Sequence, residues 1–220
     1  MNNHESITRR PLKTRDTKWA AALATCLVKL GVKPNQISVA SIFFAALAGV
    51  AFVCANHFTR IPAGWIYLAG AASVQLRLLC NMLDGMVAVE GGLKTTTGEL
   101  YNELPDRFAD ALILIGAGYA NGQDVYCVLA GWLAALLAVM TAYVRALGVA
   151  AGASQCFLGP MAKPHRMALL TAASVGAAVC AWLDCQVKVI PIALWLMIAG
   201  CVVTIFRRCR RIARELELKK

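Results

Sequence analysis

The sequence predicts an all-α integral membrane protein, a bundle of six transmembrane helices with an amphipathic surface helix at its N-terminus. Three observations predict it. Of 220 residues, 59% are hydrophobic and only 15% are charged, with a mean hydropathy of +0.62. Soluble domains are about 45–50% apolar and about 25% charged, so a soluble globule is excluded; disorder, which needs low hydrophobicity, is excluded too. Apolar runs at about 37–56, 62–89, 99–120, 126–150, 167–186 and 190–206 each approach the roughly 20 residues that a spanning helix needs. Finally, much of the formal charge of +10 gathers at the two ends of the chain. Arg9, Arg10, Lys13, Arg15 and Lys18 precede the runs, and Arg207, Arg208, Arg210, Arg211, Arg214, Lys219 and Lys220 follow them.

An even number of spans puts both basic ends on one side, which the positive-inside rule makes cytoplasmic. Lys94, Arg145, Lys163 and Arg166 fall on that side, with Arg60 and Lys188 opposite. A multi-pass protein of a bacterial inner membrane is expected. No basic–aromatic interleaving points to nucleic acid, so anionic membrane lipids are the expected partner of the basic ends. No cleavable signal peptide is expected, because the first apolar run starts late. The chain divides into a cytoplasmic N-terminal segment with its juxtamembrane helix (1–35), a six-helix membrane domain (36–207) and a basic cytoplasmic tail (208–220).

Taken in order, residues 15–30 carry Trp19, Leu23, Leu27 and Leu30 on one helical face beside basic residues. That pattern fits a helix on the membrane surface, and equally a helix packed on the bundle. The first span is uniformly apolar. In the second, Arg77, Asn81, Asp84 and Ala88 are spaced four, three and four apart and share one face. In the third, Asn102, Asp106 and Asp110 are four apart, with Glu103 and Arg107 alongside. The short EGGLKTTTG linker makes these two helices antiparallel neighbours whose polar faces converge at the cytoplasmic end. The fourth and sixth spans are almost wholly apolar, and the loop before the fifth carries Lys163, His165 and Arg166. Tyr and Trp near the span ends read as interfacial anchors. Nine cysteines show no CxxC or Cys/His spacing and read as small hydrophobes.

A charge in hydrocarbon costs roughly 2.5–3.5 kcal/mol on insertion scales, so the polar faces must line a bundle interior or a wet cavity. Converging carboxylates repel and need a cation. Arg77 and Arg107 can supply one as structural ion pairs. Alternatively, oxygen-only donors without His or Cys suit hard Mg²⁺ or Mn²⁺. On that second reading, Gly85 and Ala88 let a ligand approach the backbone, and the pocket takes a metal-bound phosphate or diphosphate. Arg145, Lys163, His165 and Arg166 read either as positive-inside charge or as a second anion site.

The stretch Asn81-x2-Asp84-Gly85-x2-Ala88-Val89-x8-Gly98-x3-Asn102-x3-Asp106 resembles the signature of the CDP-alcohol phosphotransferases, D-x2-D-G-x2-A-R-x8-G-x3-D-x3-D. The spacing matches throughout; Asn81, Asn102 and Val89 replace Asp, Asp and Arg. Lys33-Pro34-Asn35-Gln36-Ile37-Ser38 is similar to the start of that family's first membrane helix.

The resemblance implies a membrane enzyme of phospholipid biosynthesis that moves a phosphatidyl or other substituted phosphate group from a CDP-linked donor to an alcohol, releasing CMP. CDP-diacylglycerol is the expected donor, the acceptor alcohol can itself be phosphorylated, and a homodimer is expected. It implies one or two Mg²⁺ or Mn²⁺ ions on Asp84 and Asp106, with Asn81, Asn102, Glu103 and Asp110 as further donors. Asp106 becomes the general base, with Asp110 as its rival one turn on. Asp84, Gly85, Ala88, Gly98, Arg77 and Lys94 become the donor diphosphate site. Arg145, Lys163, His165 and Arg166 become the acceptor-phosphate site. Two other readings stay open: a catalytically weak homologue, favoured by the three departures, and a small membrane transporter using the same polar pocket. A transporter needs polar residues continuing to the outer side, and the later spans hold almost none.

Overall fold

A computed structural model describes residues 17–55, 61–92 and 97–219. Arg9, Arg10, Lys13, Arg15, Arg60, Lys94 and Lys220 lie outside the described residues. The described chain is all-helical: α1 (Lys18–Lys29), α2 (Pro34–Cys54), α3 (Ala63–Glu90), α4 (Gly98–Gly118), α5 (Val125–Ala150), α6 (Lys163–Trp182) and α7 (Val189–Glu217). Four of them, α2, α3, α5 and α7, are long and apolar enough to cross a membrane. The charged residues of α4 and the Lys-Pro-His-Arg start of α6 dilute the hydropathy of those two helices.

Local chemistry sets the helix ends. At the start of α2, Gln36 accepts the Lys33 backbone N–H at 2.9 Å, satisfying a donor that helix geometry leaves orphaned. The turn before it needs a left-handed residue, and Gly31 supplies φ +71° at no steric cost. Asp124 caps α5, accepting the backbone N–H groups of Tyr126 and Cys127. The same carboxylate receives Lys188 Nζ at 2.8 Å from the start of α7, tying two helix starts together at one end of the bundle. That hydrogen bond holds the Asp124 carboxyl below its ordinary range.

The tertiary arrangement departs from the sequence expectation in one instructive way. Helices α3 and α4 are not neighbours along their length: α2 packs extensively on both, while α3 and α4 touch directly at few points. Glycine pairs explain it. A Cβ on Gly116 of α4 would run into the Gly49 backbone of α2, and one on Gly49 would meet Leu112 O at 2.7 Å. On the other side of α4, a Cβ on Gly131 of α5 would meet Gly118 Cα at 2.6 Å. Such bare surfaces let backbones approach closely, which drives helix association where lipid removes the hydrophobic incentive. Helix α1 packs on α3 through buried Ala20 and Ala24 and half-buried Leu23 and Leu27, while Trp19 stays exposed. Helix α7 runs unbroken past the expected span end at 206 to Glu217, since the arginine-rich stretch contains no helix breaker. Glu215 there accepts both the backbone N–H and the hydroxyl of Ser154 at 2.7 Å, fastening the α5–α6 loop to this extension.

Candidate active site

The polar residues of α3 and α4 meet at the end of the bundle where α3 stops and α4 begins, roofed by the start of α6. Three carboxylates are buried there: Asp84, Asp106 and Asp110, at 5%, 7% and 1% exposure. Burying charge is tolerated only when it is paired and hydrogen-bonded, and the three solve this differently.

Asp110 is saturated. Its Oδ1 accepts Arg77 Nη2 at 2.7 Å and its Oδ2 accepts Arg166 Nη2 at 2.7 Å. Arg77 is completely buried and Arg166 nearly so. Arg166 also donates to Thr141 Oγ1 (3.1 Å) and Met161 O (2.9 Å), so α3, α4, α5 and α6 are joined through one carboxylate. Arg77 and Arg166, expected at phosphate positions, are thus committed to this internal pair. Buried N–H donors remain without a protein partner at Arg77 Nε and Nη1 and at Arg166 Nε, which calls for water or another acceptor.

Asp106, one turn earlier on α4, sits closer to the opening. Its Oδ1 accepts Asn81 Nδ2 and, at 3.3 Å, Arg77 Nη2; its Oδ2 pairs with Lys163 Nζ from the first turn of α6. Asp84 faces it from α3. Ser38 Oγ of α2 donates to Asp84 Oδ2 at 2.7 Å, and among the described residues no cation lies within ion-pair distance of Asp84.

Glu103 stands at the rim, with both oxygens bonded by Arg145 Nη2 (2.6 and 2.7 Å) and a second partner in Arg107. The Arg145 guanidinium also lies 5.6 Å over the Phe157 ring, a cation–π contact. Asn102 and His165 are exposed, as is Val89; Gly85 and Ala88 are half-buried one and four residues beyond Asp84, and Gly98 starts α4.

Sequence reasoning missed Ser38, Thr141 and Arg208. Ser38 was visible as a hydroxyl in the first turns of an apolar span. Arg208, assigned to the tail, is 5% exposed; it donates to Leu158 O at 2.9 Å and to Thr141 O. Its signal was the spacing Cys201, Thr204, Arg208, a single inward face of α7.

The donor set fits a hard cation. It is oxygen-only, and among the described residues Asp84 has no cation within ion-pair distance. No three His, Cys, Asp or Glu side chains converge as a cage among the described residues. Mg²⁺ does not need such a cage: one or two carboxylates suffice when substrate phosphates complete its shell. Asp84, beside Asp106, is therefore the residue that can hold such a cation.

No protein-family model matches the chain. Curated relatives do. A phosphatidylinositol phosphate synthase of Streptomyces avermitilis is 26% identical over 204 residues, covering 90% of this chain and 80% of that protein. An archaetidylinositol phosphate synthase of Pyrococcus horikoshii is 28% identical over 156 residues, covering 70% of this chain and 74% of the relative. Among solved structures, phosphatidylinositol phosphate synthase of Mycobacterium tuberculosis with CDP-DAG bound superposes with a TM-score of 0.72 at 22% identity, over 89% of this chain and 94% of that one. The same enzyme in complex with manganese and citrate gives a TM-score of 0.70 at 23% identity, over 88% of each chain. The fold is shared.

Proposed function

We propose that this chain is a CDP-alcohol phosphotransferase that transfers a phosphatidyl group from CDP-diacylglycerol to a phosphorylated alcohol and releases CMP. The observation that carries this reading is the pairing of two unlike carboxylates at one opening: Asp84, buried without a cation partner, and Asp106, held by Asn81, Arg77 and Lys163. The relatives' activities support the same class of reaction.

Bound at this site, Mg²⁺ or Mn²⁺ would neutralise charge developing on the donor diphosphate. The chain's own residues do the rest. Asp84, braced by Ser38, would hold the cation, with the side-chain carbonyl oxygens of Asn81 and Asn102 as neutral donors. Gly85, Ala88 and Gly98 leave room for the nucleotide. Asp106 takes the proton of the acceptor hydroxyl as general base. The new P–O bond forms to that oxygen, the bond to the CMP oxygen breaks, and the proton stays on the carboxylate. Asp110 serves as the anchor of Arg77 and Arg166 rather than as base or metal ligand. Arg145, paired with a carboxylate that phosphate can displace, receives the acceptor's phosphate, with His165 at the rim, while Lys163 stays on Asp106.

The bundle spans the membrane six times in this reading, α4 and α6 crossing with their polar ends at the cytoplasmic face, where both termini and the site lie. The experiment is CMP release by purified protein given CDP-diacylglycerol, Mn²⁺ and a panel of alcohols including inositol phosphate and glycerol phosphate. Release with one acceptor, abolished by Asp84→Ala and by Asp106→Ala, is expected. Release that survives either substitution refutes the site assignment, and no release with any acceptor refutes the activity.

A further inference from the structure

The buried end of the site is already electrically balanced before any metal enters. Asp84, Asp106 and Asp110 face Arg77, Lys163 and Arg166. One divalent cation adds two positive charges, about what the substrate's diphosphate cancels. A second would leave surplus positive charge beside buried carboxylates, where like charges are less screened than in water. The donor inventory points the same way. Both oxygens of Asp110 and both of Glu103 are taken by arginines. Asp106 Oδ1 already accepts from two side chains, and Oδ2 carries Lys163. Asn81 and Asn102 supply neutral amides where carboxylates would draw a cation.

Lys163 is not a stray surface charge. It opens α6 directly before Pro164, whose ring fixes the backbone. Three residues on, Arg166 is locked to Asp110, Thr141 and Met161. The helix start is therefore pinned, and the ammonium is delivered to Asp106 by rigid structure.

Resting on the proposed activity, we infer that this site seats one divalent cation, on Asp84, and that the Lys163 ammonium beside Asp106 takes the place of a second. Lys163 thus supplies fixed positive charge where a mobile ion would otherwise sit. Its charge does not have to be recruited from solution, and Asp106 keeps a counterion throughout the cycle.

The test counts bound Mn²⁺ by electron paramagnetic resonance and calorimetry on purified full-length protein saturated with CDP, alongside the CMP-release assay. Wild type is expected to bind one Mn²⁺ per chain with an uncoupled signal, and Asp84→Asn to bind none. Lys163→Met combined with Asn102→Asp is expected to bind two, with the line broadening of a coupled pair; Lys163→Arg, which keeps the charge, should stay at one. Two coupled Mn²⁺ in a wild-type protein that releases CMP overturn the inference and leave the activity standing. One Mn²⁺ that persists in Asp84→Asn overturns it as well, as does CMP release by protein that binds none. One Mn²⁺ lost on Asp84→Asn, with no CMP release from any acceptor, instead refutes the activity.

Discussion

Replacing Asp110 by Asn removes one charge and almost no volume, and its effect distinguishes an internal anchor from a catalytic group. Asp110 is 1% exposed and accepts two guanidinium groups at 2.7 Å, one on each oxygen. The amide retains one acceptor, but its NH₂ must face the other arginine, donor against donor. Arg166 is then left as a buried cation without its counter-charge, and Arg77 keeps only its longer 3.3 Å contact with Asp106 Oδ1. Removing one partner of a buried pair costs about 3–5 kcal/mol. At roughly 2–4 °C per kcal/mol for a chain of this size, the apparent Tm should fall by about 6–20 °C. The assay is thermal unfolding in detergent, with Arg166→Met and the double variant closing a double-mutant cycle. The double variant should recover part of the loss, because an apolar side chain then replaces the orphaned cation. Asp84→Asn is the control: it removes a buried charge that has no ion-pair partner, so its Tm should match or exceed wild type while Mn²⁺ binding disappears. An Asp110→Asn protein within about 2 °C of wild type, or an Asp84→Asn protein that falls as far, refutes the division of labour between the two carboxylates.

Four other outcomes are expected. Ser38→Ala frees Asp84 from its 2.7 Å hydrogen bond and should weaken Mn²⁺ affinity by about 10–100-fold, as loss of a ligand's supporting partner does; calorimetry measures it. Gly131→Leu places side-chain atoms against Gly118 Cα and Leu114 O and should cost at least the roughly 1–3 kcal/mol of an overpacked core, visible as a lower Tm and loss of monodispersity. Asp124→Ala removes the α5 cap and should lower stability. Because the Asp124 pKa is lowered in the fold, that contribution is present above the ordinary carboxylate pKa and is lost as pH falls through the lowered one. Wild type and variant should therefore differ at neutral pH and converge in strong acid. For topology, exposed Cys185 and Cys209 should react with a membrane-impermeant thiol reagent in opposite settings, Cys185 in intact cells and Cys209 only after permeabilisation. The reverse pattern inverts the bundle.

The number and position of the helices were legible in the sequence because they follow from local properties. A run of about twenty apolar residues in lipid must satisfy its own backbone, and a helix is how a single segment does so. The grouping of Asn81 with Asp84, and of Asp106 with Asp110, was equally local, since helical periodicity alone puts residues three and four apart on one face. Partnership was not legible. The sequence makes α3 and α4 look like neighbours, whereas bare glycine surfaces on α2, α4 and α5 insert α2 between them and leave the polar ends to meet at the bundle's mouth. Which cation met which carboxylate was then a matter of that packing. Arg77 and Arg166 turned inward to Asp110, Lys163 reached Asp106, and Ser38 braced Asp84, across separations of 33 to 57 residues. Periodicity carries no information over such distances; close packing of small side chains does, because it fixes where each helix lies before any charge chooses its partner.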